Sequence, residues 1–194
     1  NSVTQAMNTN TYRVVLTGLC TVVNSNAATL FVNPLPTILI AANTRNSLLP
    51  AQSTGILATV TPTGGSFVWR KNGGIVNGVT GATLSPLTVD NIGTYNTTYT
   101  DLNGCVITSP DIIISGTPAE NIWVYPNPNN GIFQVRYYNN FGEPAKVIVL
   151  NAAGQLIFSK DYVIGEPYSR MDVNIANQPA GIYIVKVLSG NGKE

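Results

Sequence analysis

The chain has 194 residues, 44% of them hydrophobic, which is enough for one large or two ordinary domains, each burying its own core. A net charge of +1 with only 10% charged residues removes the electrostatic footprint that nucleic-acid or anionic-membrane binding needs, and apolar runs such as DIIIS fall far short of a membrane span. Histidine is absent, which excludes the Ser-His and Cys-His nucleophile pairs and most zinc sites.

In chain order, no charged-then-apolar leader follows Asn1, as expected of a processed chain or a fragment. Thr11 to Val32, TYRVVLTGLCTVVNSNAATLFV, carries two alternating runs, Tyr12, Val14, Leu16 and Ala28, Leu30, Val32. They predict two strands joined by a polar turn around Asn24 to Asn26. Two strands alone are marginal in water, so residues 1–33 are expected to be the closing strands of a truncated repeat.

Beyond Asn33 and Pro34, six strands are predicted: 37–44, 55–62, 66–71, 82–89, 93–100 and 105–115. They are separated by turn residues, Gly64-Gly65, Asn72-Gly73-Gly74, Asn77-Gly78, Asp90-Asn91 and Asn103-Gly104. Short strands at close spacing without a helical period indicate an antiparallel sandwich. An internal repeat supports a tandem array: TYRVVLTGLCTVVNS at Thr11 to Ser25 aligns with TYNTTYTDLNGCVITS at Thr94 to Ser109. Cys20 and Cys105 are equivalent within it, so pairing them would require two domains to meet edge to edge, and they are expected not to pair.

Residues 34–116 resemble the immunoglobulin-like modules of bacterial surface proteins. The resemblance is carried by Trp69 in FVWRKNG, by the corner tyrosine of DNIGTY at Asp90 to Tyr95, and by Cys105 in the closing strand. Strand GILATV has no cysteine, so the usual inter-sheet disulfide cannot form, and packing around Trp69 is expected to replace it. Trp69 is accordingly expected in the core. The DLNG turn at Asp101 to Gly104 supplies a single carboxylate and reads as a hairpin turn rather than a calcium loop. Asn96-Thr97-Thr98 is a formal sequon within a strand.

Residues 117–120 form a short linker of small residues. Charge usage changes across it: Arg13, Arg45, Arg70, Lys71, Asp90, Asp101 and Asp111 precede it, and twelve charged residues follow Thr117 in a shorter segment. In NIWVYPNPNNG, Pro126 and Pro128 each hold φ near −65° and restrict the residue before them, giving a stiff, non-helical lead-in that Gly131 turns into a new strand. Short strands follow through GIFQVRYY, AKVIVLNAAGQLIFSKDY, RMDVNI and AGIYIVKVLSG.

Three motifs in 121–194 resemble, in order and spacing, the C-terminal sorting domain of proteins exported by the type IX secretion system of Bacteroidota. They are Pro126, Asn127, Pro128 and Gly131 of PNPNNG, Gly154 of NAAGQL, and Gly181, Tyr183 and Lys186 of PAGIYIVKV. The resemblance implies an all-β protein of tandem immunoglobulin-like antiparallel β-sandwiches, exported through the periplasm to the cell surface or secreted. It implies as partners the outer-membrane translocon, its shuttle β-barrel and a cell-surface sortase, the last cutting near Gly116, Thr117, Pro118, Ala119 and Glu120. Family members usually continue into a further apolar strand, whereas this sequence reads GNGKE after Ser189. No catalytic residue, cofactor, metal or nucleic-acid partner is expected. The alternatives are an adhesin or carbohydrate-binding module and the non-catalytic tail of an exported hydrolase.

Overall fold

The computed structural model of the chain describes residues 2–189. After a 3-10 turn at Gln5–Met7 come four short strands, β1 (Thr11–Tyr12), β2 (Val15–Thr17), β3 (Val22–Asn24) and β4 (Ala28–Thr29). They form two small antiparallel ladders, β2 with β3 and β1 with β4, and every residue in them is exposed. The turn is not at Asn24–Asn26 as the periodicity predicts. The chain reverses earlier, where the Gly18 N–H donates to the Thr21 carbonyl at 2.9 Å, and Asn24 lies in a strand. The pairing of Thr17 with Val22 in the β2–β3 ladder fixes the reversal there.

The middle module comprises β5 (Thr37–Ala42), β6 (Ser47–Leu48), β7 (Thr54–Thr61), β8 (Ser66–Lys71), β9 (Gly74–Ile75), β10 (Thr83–Leu87), β11 (Gly93–Thr100), β12 (Val106–Thr108) and β13 (Ile112–Gly116). One sheet has the order β10-β7-β5, and the other runs β6-β13-β11-β8-β9 with β12 also on β11. All pairings are antiparallel except β6 with β13. This is an immunoglobulin-type two-sheet arrangement. Inward residues alternate along the strands as the pleat demands: Tyr95, Thr97 and Tyr99 of β11 are all buried, with Ile56, Leu84 and Trp69 among the core residues of the same module. The Trp69 indole donates to the Gly81 carbonyl at 2.9 Å, so its one polar atom is satisfied inside the core. The Tyr95 hydroxyl donates to the Asn91 carbonyl four residues upstream, the tyrosine-corner bond that DNIGTY predicts.

The single strand predicted at 105–115 is two strands. Pro110 has no N–H to give to a ladder, and at that break the Ser109 hydroxyl accepts from Thr97 N–H at 3.0 Å and donates to the Pro110 carbonyl at 2.9 Å. Asp101 closes the preceding turn by accepting from the N–H groups of Asn103 and Cys105, each at 2.8 Å.

The C-terminal module comprises β14 (Trp123–Tyr125), β15 (Ile132–Arg136), β16 (Pro144–Asn151), β17 (Leu156–Val163), β18 (Met171–Asn174) and β19 (Tyr183–Ser189). Two three-stranded antiparallel sheets, β14-β15-β18 and β17-β16-β19, enclose a core that includes Phe133, Val135, Val147, Val149, Met171, Val173 and Val187. Residues Ala145, Val147 and Val149 of the central strand β16 are buried alternately, as a period of two requires. The segment GNGKE lies outside the described residues, so the expectation about a further strand does too.

Candidate functional site

The strand register of the C-terminal module defines two ends. At one end lie the paired residues Trp123 and Arg136, Pro144 and Val163, and Ala145 and Ser189. At the other lie Tyr125 with Gln134, Ile132 with Asn174, and Asn151 with Tyr183. All three sequence motifs belong to the second end. PNPNNG bridges β14 and β15, NAAG turns between β16 and β17, and the NQPAGI loop connects β18 to β19.

The PNPNNG loop is braced by its own asparagines, and both of its prolines follow cis peptide bonds. Asn129 donates from Nδ2 to the Pro126 carbonyl at 3.1 Å and accepts Gly131 N–H on Oδ1 at 2.8 Å. Gly131 has φ of +91°, and a Cβ there would lie 2.6 Å from Ala176 Cα, which is backbone and cannot swing aside. That closeness lets the Gly131 carbonyl accept from Ile175 N–H at 2.7 Å and ties the first motif to the loop of the third. In that loop the Tyr183 hydroxyl donates to the Pro179 carbonyl at 2.6 Å.

Between these loops runs a groove of about 690 Å³ whose lining includes Asn127, Pro128, Gly131, Gly181, Ile182 and Tyr183 and contains no charged side chain. Of the eight residues singled out by sequence, the groove therefore unites Asn127, Pro128, Gly131, Gly181 and Tyr183. Pro126 lies next to it. Gly154 occupies the neighbouring β16–β17 turn with φ of +80°, and a methyl group placed on it would have nothing within 4 Å. Lys186 is further along β19, exposed and opposite Ile148, away from the groove.

At this end of the module Tyr125, Ile132, Leu156 and Ile182 are exposed, and Ile182, 82% exposed, also lines the groove. Phe141 and Val163 are as exposed at the other end, so what sets this end apart is the uncharged groove, whose lining suits contact with a protein rather than with a charged ligand. Sequence reasoning missed Ile182. The alternation in GIYIVKV carries the signal, because Tyr183, Val185 and Val187 point inward and Ile182 therefore points out.

The first end faces the middle module. There Tyr168, fully buried with φ of +64°, joins the core of that module and packs edge-on against Trp123 at 5.2 Å and Tyr138 at 5.6 Å between centroids. Its hydroxyl donates to the Thr117 carbonyl at 2.6 Å. Arg136 pairs through both terminal nitrogens with Asp90, at 2.6 and 3.1 Å, and also donates to the Tyr168 carbonyl at 3.0 Å. Burial pushes the Tyr168 hydroxyl up to about 12, assisted by Tyr138, and burial with the nearby Glu166 carboxylate does the same for Tyr95.

The predicted cleavage stretch begins inside this contact. Gly116 is buried at the end of β13, and Thr117 N–H donates to the Leu48 carbonyl at 2.8 Å. Pro118 and Glu120 are exposed and, with Ala119, border a hollow of about 310 Å³ beside Tyr137 to Asn140. Among the described residues no group of three or more acidic or cysteine side chains could hold a metal, no helix is long and apolar enough to cross a membrane, and both cysteines are free.

Residues 123–194 match the family model described as a secretion system C-terminal sorting domain. No curated protein sequence matches the chain. A solved structure described as a cytokine receptor complex, crystal form 2, aligns over 79% of this chain and 89% of its own, at 13% identity and a TM-score of 0.28, a likeness too weak to carry an argument. The sorting domain is a non-catalytic signal read by the type IX machinery that directs export to the cell surface or the medium. Residues 123–194, with their three motifs at one end of a six-stranded sandwich, are a type IX secretion C-terminal sorting domain.

Proposed function

We propose that this chain is the C-terminal part of an exported surface protein in which immunoglobulin-like modules form a non-catalytic stalk and the groove end of the sorting domain is what the translocon and its shuttle barrel recognise. The observation that carries this reading is convergence. Pairings remote in sequence bring PNPNNG, NAAG and PAGIY to one end of the domain, where the exposed Ile182 lines an uncharged groove. The contacts with the preceding module are at the opposite end, so recognition of the groove leaves the cargo clear of the machinery.

A cell-surface sortase then cuts within Gly116 to Glu120. The exposure of Pro118 and Glu120 supports access there. The adhesin alternative finds less support, because Trp69, the aromatic that would stack on a sugar, is fully buried.

The test is expression of the full chain in a host carrying a type IX system, with deletion of 121–194 and, separately, Ile182→Asp. Because Ile182 is 82% exposed, the substitution leaves thermal unfolding unchanged. Both variants are expected to accumulate inside the cell. Surface display of the deletion variant at the parental level would end the export reading, and normal display of Ile182→Asp alone would remove the groove end as the recognition surface.

A further inference from the structure

The N-terminal strands reproduce the closing hairpin of the middle module residue by residue. In β2 and β3 the register pairs Val15 with Asn24, Leu16 with Val23 and Thr17 with Val22. In β11 and β12 it pairs Thr98 with Thr108, Tyr99 with Ile107 and Thr100 with Val106. The ladders that follow agree as well: Thr11 with Thr29 and Tyr12 with Ala28 correspond to Thr94 with Ile113 and Tyr95 with Ile112. Even the break between the ladders is copied. Ser25 Oγ accepts from Val14 N–H at 2.9 Å and donates to the Asn26 carbonyl at 2.9 Å, as Ser109 does with Thr97 and Pro110. Only the turn differs, by one residue.

What differs is what covers the hairpin. Tyr95, Thr97 and Tyr99 are 2%, 0% and 0% exposed, whereas their counterparts Tyr12, Val14 and Leu16 are 52%, 61% and 65% exposed. In the middle module the sheet of β5, β7 and β10 covers that face, and β8 pairs with the open edge of β11. Among the described residues no strand does either for the N-terminal hairpin. A two-residue ladder beside a three-residue one does not hold its conformation in water unaided, and an uncovered edge with an apolar face invites strand addition.

We propose that residues 10–32 are the closing hairpin of a second immunoglobulin-like module, and that the face of Tyr12, Val14 and Leu16 takes the opening strands of that module, counterparts of residues 37–91. They come from the same polypeptide on the N-terminal side. Chain order supplies that assignment, since in the middle module all the covering strands precede the hairpin they cover. Leucine and valine in place of Tyr99 and Thr97 make the face more apolar, so the opening strands present aliphatic rather than aromatic-accommodating residues. This inference is independent of the export reading, because its test leaves 121–194 untouched.

The experiment duplicates residues 35–92 directly ahead of Asn10 in the otherwise full chain, and makes a second version that also carries Leu16→Tyr and Val14→Thr, matching the face to the duplicated strands. Hydrogen exchange of 11–30 is measured by mass spectrometry, with sedimentation giving the oligomeric state. The unextended chain is expected to be monomeric with 11–30 exchanging at nearly unprotected rates, and at least one extended chain is expected to slow that exchange by about 100-fold or more. Two extended chains that leave the exchange of 11–30 unchanged would overturn the proposal. So would an unextended monomer in which 11–30 is already protected, because the hairpin would then fold on its own module. An unextended dimer with 11–30 protected would also overturn it, by showing that a second copy covers the face.

Discussion

Two glycines of the sorting motifs serve different physical ends, and substitution separates them. Gly131 and Gly154 both hold φ in the left-handed region, at +91° and +80°, but a methyl group on Gly131 would meet Ala176 Cα at 2.6 Å and nitrogen at 2.8 Å, whereas one on Gly154 would meet nothing within 4 Å. Gly154→Ala therefore bears only the left-handed cost, roughly 1–2 kcal/mol. Gly131→Ala adds a backbone displacement to that cost, so a loss of roughly 2–5 kcal/mol is expected. Urea unfolding of the two variants beside the parent checks the order; equal losses would mean that the close approach of Gly131 to the β18–β19 loop contributes nothing to stability. Gly131 thus joins the two loops of the groove end, and Gly154 only shapes a turn beside it.

At the scale of elements, the middle module shows what replaces a missing disulfide. Trp69 is fully buried between the sheets with its N–H bonded to Gly81, and Trp69→Ala is expected to cost about 3–5 kcal/mol, comparable to the 2–4 kcal/mol that a disulfide typically contributes. Thermal unfolding measures it, and a loss under ~1 kcal/mol would show that other core residues hold the sheets together. Trp69 and its strand were legible in the sequence, because SFVWRK alternates and is bounded by Gly-Gly and Asn-Gly turns. So was β11, whose bounds at Gly93 and Thr100 follow from its alternation and the corner tyrosine. The two-residue strands β6 and β9 were not, since two residues cannot show a period and their pairing with β13 and β8 is decided by the surrounding fold. β14 was hidden differently: IWVY reads as an apolar lead-in to proline, and only its pairing with β15 makes it a strand. The site divides along the same line. Each motif was visible as a word, but their meeting depends on pairings such as Asn151 with Tyr183, which no local pattern encodes.

At the scale of the molecule, the sorting domain is docked on the module before it, and sequence gives no hint of this because each participant looks like an ordinary surface or strand residue. Arg136 reads as a solvated charge, yet its side chain is 12% exposed, while Asp90 opposite is 58% exposed. The half-exposed ion pair is worth no more than about 1 kcal/mol, and the bond to the Tyr168 carbonyl adds about as much. Tyr168 carries more of the contact, since its ring fills the base of the neighbouring core and a methyl group on Gly116 would stand only 3.3 Å from it. Its hydroxyl donates to the Thr117 carbonyl, which requires the proton. With the folded pKa of Tyr168 at about 12 against an ordinary 10, the docked state keeps its full stability below pH 10 and loses it as pH rises from 10 to about 12, because only the undocked tyrosine ionises readily there. Tyr95 shifts the same way, but its ring lies in the middle module's own core, so its shift bears mainly on unfolding of that module rather than on docking. Small-angle scattering of the full chain is therefore expected to show the two modules separating across that window. Tyr168→Phe keeps the ring and removes the titrating group, so it is expected to start slightly weaker at neutral pH and lose less above pH 10. An alkaline separation as steep in Tyr168→Phe as in the parent would place the sensitive contact elsewhere, and Arg136→Ala, which removes no titrating group in this range, distinguishes general weakening of the interface from loss of that proton.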